Sequence, residues 1–127
     1  MNNMKSPSQQ IGEFSITAIS DGYLSASLDL LSNISPTDAF ELQQGAGATD
    51  PSSIHINCYL VRGRGRTVLI DAGAGGFKQW GGQLQANLAR AGVHPSDIDT
   101  ILLTHAHPDH IGAVSYTHLT LPTIYSV

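Results

Sequence analysis

Hydrophobic and polar positions along the chain fall into short clusters of differing period. Over residues 11–19, IGEFSITAI, β-branched and aromatic residues alternate imperfectly with polar ones, which predicts a strand. SDGYLSASL follows with an Asp21-Gly22 pair, a two-residue hairpin signal, and then a second strand. IHINCYLV and TVLIDAG are compact β-branched runs separated by a Gly-Arg turn, predicting adjacent antiparallel strands in a sheet core. TILLT, wholly apolar, has the pattern of a short strand buried on both faces. Two helices are predicted between these runs. SPTDAFELQ offers Ser35 as N-cap, Pro36 at the first helical position and Asp38 in the first turn. GGQLQANLARAGV places Leu84, Leu88 and Ala91 at helical spacing, with Gly92 where a left-handed cap belongs. QGAGATDPSS is a loop by composition and HPSDID a turn. The order strand, strand, helix, strand, then a polar loop is an α/β layered arrangement without internal repeat.

Composition narrows this picture without redrawing it. A chain of 127 residues with 41% hydrophobic and 13% charged residues is one ordinary globular domain. A net charge of −4 and only six Lys and Arg leave no basic surface for neutralising phosphates, so nucleic acid is not expected as a partner. Three of those six, in VRGRGRTV, alternate with glycine as a solvated hairpin turn. The N-terminal MNNMKSPSQQ has a single lysine and no apolar run, and no stretch approaches the roughly 20 apolar residues of a membrane span. Cys58 is alone and alternates with apolar neighbours as a buried strand residue does. These features predict a cytoplasmic protein with no membrane partner.

The densest chemistry follows TILLT, where THAHPDH packs His105, His107, Asp109 and His110 into six positions. A buried strand that ends in such polar groups is costly unless they have partners, and a metal ion supplies one. His105 and His107, two apart in an extended chain, point to the same side. Pro108 keeps His107 extended and redirects the chain into a turn carrying Asp109 and His110. Two ligand pairs then diverge from one loop, as a two-metal site requires. Imidazole with carboxylate suits zinc first, with iron, cobalt or manganese chemically admissible. DAGAGG lacks the Gly-Lys-Ser/Thr ending of a phosphate loop.

THAHPDH fits the His-x-His-x-Asp-His signature of the metallo-β-lactamase superfamily, and the resemblance extends upstream through NCYLV, TVLIDAGAG and LQANLARAGVHPSDIDTILLTH. ISDGYLSASLDLL and VLIDAGAG resemble the branch holding acyl-homoserine lactonases and organophosphate ester hydrolases. The resemblance implies an α/β fold, of which residues 11–113 are the N-terminal half of a four-layer αββα sandwich, preceded by a polar segment at 1–10. It implies that His105 and His107 hold a first metal and Asp109 and His110 a second, with two Zn2+ per intact site. Asp71 then lies beside the site and orients a ligating group. The implied activity is metal-dependent hydrolysis of an ester, lactone or related bond in a small molecule by hydroxide held between the two ions, with Asp109 orienting it or taking its proton. Two other expectations compete: a redox protein of the same fold with an iron pair, and a small metal-binding module.

The superfamily draws further ligands, a His, a bridging Asp and a final His, from strands beyond the signature, and no residue after Ala113 supplies them. His118, in YTHL, is the tempting substitute. Residues 114–123, VSYTHLTLPT, match the translation of GTC TCT TAT ACA CAT CTG ACG CTG CCG ACG, which resembles the transposase end and adapter of DNA sequencing libraries. Residues 124–127 then fit an index and a stop. The expectation is a truncated hydrolase, itself inactive, with residues 114–127 a non-native tail in which His118 has no role.

Overall fold

The computed structural model describes residues 6–115 and 124–126. One six-stranded sheet runs in the order β1 (Ser8–Ile11), β2 (Phe14–Ser25), β3 (Ser53–Gly63), β4 (Arg66–Ile70), β5 (Thr100–Leu103) and β6 (Ile124–Ser126). β1 to β4 form an antiparallel meander, whereas β4, β5 and β6 are parallel. The direction changes where α2 (Leu84–Arg90) is inserted between β4 and β5, because parallel neighbours need a crossover. α1 (Pro36–Gly45) links β2 to β3, and its N-cap is Ser35, whose hydroxyl accepts from Asp38 N. α3 (Pro108–Ser115) follows β5. Among the described residues no helix is long and apolar enough to cross a membrane.

Alternation along the strands decides what the sheet buries. Ile56, Cys58 and Leu60 of β3, Ile19 of β2 and Leu69 of β4 point to one face. Leu84 and Leu88 of α2 close over it, with Val93, Ile98, Ile101 and Leu103 completing the cluster. Leu88 is fully buried, which contributes about 1.5–3 kcal/mol. The alternate positions Ile16, Ala18, Tyr59, Val61, Val68 and Ile70 form the opposite face, and none of them is buried. The sheet therefore has one covered and one open face among the described residues.

The β3–β4 turn is made by Arg64 and Gly65, both at positive φ as a two-residue type I′ turn requires. The arginines around it sit at the surface, Arg64 pairing with Glu13 and Arg66 with Asp99. Gly92 takes the left-handed conformation expected after α2.

Two expectations are corrected. Asp21-Gly22 is not a hairpin turn: β2 runs through it and pairs with β3 on both sides, with a register shift between Ser20 and Gly22. The pair is a β-bulge, Gly22 taking φ 107°. The hairpin lies earlier, at Gly12-Glu13, joining β1 to β2, so that Ser8–Ile11 form an edge strand. Residues 108–115, expected to begin as a turn, are helical. Pro108 and Asp109 are favourable first-turn residues, and His107 O accepts from His110 N at 2.9 Å.

Candidate metal centre

β4 and β5 run parallel and end together, so the residues that follow them share one edge of the sheet. Asp71 follows β4 and Thr104 follows β5. Asp71 adopts φ 62°, a left-handed conformation that a short polar side chain tolerates. Its backbone N–H donates to Leu102 O at 2.8 Å, tying the loop to β5.

The buried Asp71 carboxylate accepts the Thr104 backbone N–H at 2.8 Å and the Thr104 hydroxyl at 2.8 Å. His110 Nδ1 lies 2.8 Å from the same carboxylate and donates its proton to it. Thr104 Oγ1, its own proton given to Asp71, accepts from His105 Nδ1 at 3.0 Å. One carboxylate thus orients two imidazoles, His110 directly and His105 through Thr104. Burial works to raise the Asp71 carboxyl, but the Thr104 and His110 hydrogen bonds outweigh it and hold the group below its usual range.

With both Nδ1 atoms occupied, the Nε2 atoms of His105 and His110 carry the free lone pairs. His110 Nε2 lies 3.3 Å from Asp109 Oδ2. Two acceptors at that distance repel unless a proton or a cation sits with them. The remaining imidazole, His107, meets His105 edge to face at 4.6 Å between ring centroids, and His105 lies 3.9 Å from His110. All four candidates therefore gather at one site, with Asp71 beneath them. No three His, Cys, Asp or Glu side chains among the described residues are placed to hold one metal ion. The donor chemistry fits a metal pair while the geometry is not closed around it. His118 lies outside the described residues.

The loop after Asp71 abuts α3. Ala72 N donates to His110 O at 2.7 Å and Gly112 N to Gly73 O at 2.6 Å. A Cβ at Gly112 would sit 2.0 Å from the carbonyl carbon of Ala74, so only glycine fits there. Two participants escaped the reading of the sequence. Thr104 looked like the end of a strand, although a hydroxyl between an apolar strand and a histidine cluster was a usable signal. Asp21, taken for a turn residue, is fully buried and directed toward this loop.

A family model of the metallo-beta-lactamase superfamily matches residues 54–120, more than half of the chain, and the chain belongs to that superfamily. The match extends past Ala113 into the stretch that resembles adapter DNA. The structure superposes on the hydrolase AbOPH of the beta lactamase superfamily with a TM-score of 0.76 and 30% identity, over 95% of this chain and 45% of that one. It superposes on AidC, a dizinc quorum-quenching lactonase solved with the product N-hexnoyl-L-homoserine, with a TM-score of 0.75 and 26% identity, over 91% of this chain and 43% of that one. Ribonuclease Z of Aeropyrum pernix is 37% identical over 79 residues, 61% of this chain and 23% of the ribonuclease. The chain thus spans less than half the length of each of these proteins, and its fold is a partial metallo-β-lactamase sandwich.

Proposed function

We propose that this chain carries one half of the metal site of a hydrolase that opens a lactone or a related ester. His105 and His107 would hold one ion and Asp109 and His110 the other, zinc being the first choice. The observation that carries this is His110, whose Nδ1 is fixed on Asp71 at 2.8 Å while its Nε2 faces Asp109 Oδ2 at 3.3 Å. A cation held between them would relieve the repulsion of that pair. Metal bound there would supply Lewis-acid activation of water and of the scissile carbonyl. Asp71 keeps His110 in the tautomer that leaves Nε2 free and, through Thr104, does the same for His105. Asp109, through the carboxylate oxygen not turned to His110, would take up a proton from the attacking water.

Hydrolysis is proposed for a chain of the relatives' length. The 127 residues alone are expected to bind metal weakly and to turn over little, because no three of the gathered donors among the described residues are placed to hold one ion. We also propose that residues 114–127 are not native to the domain, with amplification of the locus across codons 112–127 from genomic DNA as the check. A small-molecule substrate is favoured over RNA by the lactonase likeness along 91% of the chain and by its net charge of −4. RNA is the second substrate class, since a ribonuclease shares 37% identity over 79 residues.

Calorimetric titration of the chain with Zn2+ tests the site: heat of binding in the wild type should fall in His110→Ala, which removes one of the two ligands assigned to the second ion. A wild type that stays silent even at millimolar Zn2+, roughly the limit for a weak site, would sink the metal reading. For a form of the relatives' length, faster opening of an acyl-homoserine lactone than cleavage of an RNA phosphodiester is expected, and the reverse order would replace the substrate assignment.

A further inference from the structure

We propose that Asp21 is a positioning residue for the metal centre: its carboxylate, aimed inward by the β2 bulge, clamps the loop after β4, and that loop fixes the backbone of α3 on both sides of His110. The metal half of this statement rests on the function proposed above; the clamp itself does not.

Asp21 is fully buried in a strand whose neighbours on the same face are apolar. A buried carboxylate is tolerated when hydrogen bonds replace its water. Asp21 Oδ2 accepts Ala74 N at 2.7 Å, and Oδ1 accepts Gly82 N at 3.1 Å and Leu84 N at 2.9 Å. Backbone bonds add to these, Gln83 N donating to Asp21 O and Gly81 N to Tyr23 O, each at 3.0 Å. The loop from 73 to 84 is therefore strung along the bulge.

The fit leaves no slack. A Cβ at Gly73 would lie 2.4 Å from the Asp21 carboxylate and one at Gly81 2.0 Å from it, and both glycines have positive φ. On its other side the same loop holds α3, through Ala72 N to His110 O and Gly112 N to Gly73 O. Two carboxylates thus divide one task. Asp71 sets the ring of His110, and Asp21, through backbone alone, sets where the residue stands.

Asp21→Asn tests this, because it keeps the shape while turning an acceptor into a donor that faces amide N–H groups. Native-state hydrogen exchange and Co2+ affinity are measured on the 127-residue chain. In the wild type the amides of Ala74, Gly82 and Leu84 should be protected, and rapid exchange there would overturn the clamp without any variant. In Asp21→Asn, protection at Ala72, Ala74 and Gly112 should fall by about 10-fold or more while the β3–β4 ladder holds. Co2+ affinity should fall by about 10–100-fold. Gly81→Ala, which pushes on the carboxylate without altering it, should reproduce the selective loss even if Asp21→Asn fails to fold. Unchanged protection at Ala72 and Gly112, unchanged Co2+ affinity, or a loss spread evenly over the sheet would each overturn the proposal. A wild type that binds no Co2+ would count against the metal reading, and the exchange pattern alone would then decide on the clamp.

Discussion

Two buried aspartates, one just past the end of β4 and one in the bulge of β2, look alike in burial and differ in what they hold. Asp71 accepts from side chains, the hydroxyl of Thr104 and the imidazole of His110, as well as from one backbone amide. The Asp21 carboxylate takes its hydrogen bonds from the backbone amides of Ala74, Gly82 and Leu84. A carboxylate joined to titratable groups tunes chemistry, whereas one joined to main chain sets shape. The comparison yields expectations that separate stability from metal affinity.

The largest effect on stability is expected from Asp21→Ala, which strands the buried amides of Ala74 and Leu84 at about 1–3 kcal/mol each and so costs about 2–6 kcal/mol by urea denaturation of the metal-free chain. A loss under about 1 kcal/mol would mean that water replaces the carboxylate and that shape does not depend on it. Asp71→Asn should reverse the balance. It retains an acceptor for Thr104, so the loss in stability should be about 1–2 kcal/mol, whereas Zn2+ affinity should drop about 10–100-fold because the His110 and His105 tautomers are released. Loss of amide protection at Ala72 and Gly112 as large in Asp71→Asn as in Asp21→Asn would erase the distinction between ring and backbone.

A third aspartate, at the surface, gives a smaller effect. Asp99 is held well below the usual carboxylate range, first by its hydrogen bond from Arg66, then by Thr67 N–H and the Thr100 hydroxyl. Because its folded value is depressed, it adds stability above the ordinary carboxylate value of about 3.9 and loses it as pH falls toward the folded value. Urea midpoints between about pH 5 and about pH 3 should therefore fall more steeply in the wild type than in Asp99→Asn. Parallel curves would remove Asp99 from the account. The smallest effect concerns Cys58, fully buried among apolar neighbours. Burial pushes its thiol well above the usual range, with the Asp21 and Asp71 charges adding to it. Iodoacetamide should label it only as fast as the chain opens, and Asp21→Ala should speed that labelling; prompt labelling of the native wild type would contradict the burial.

Much of the frame was legible because its signals are local. The β3 and β4 runs, the cap at Ser35, the spacing of Leu84 and Leu88 and the glycine after α2 are decided within a few residues of themselves. The same holds for the cluster of His105, His107, Asp109 and His110, whose density in six positions needs no fold to be noticed. Asp-Gly was misread for the opposite reason. As a dipeptide between strand-like runs it fits a hairpin, but the Asp21 carboxylate finds its donors 53, 61 and 63 residues away, and those bonds favour the bulge over a turn. Residues 108–115 were misjudged more narrowly, since Pro108 both ends an extended segment and starts a helix.

The sequence by itself determined the class of fold, the clustering of His105, His107, Asp109 and His110 and the presence of a carboxylate after β4, because each is written in periodicity, capping or residue type. Only the tertiary structure decided which nitrogen of His110 is occupied, that Thr104 passes the Asp71 charge on to His105, and that Asp21 grips the loop on which α3 rests. Those depend on parallel β4 and β5 ending together and on a bulge aiming one side chain inward. Such geometry exists only once residues distant along the chain have been packed side by side.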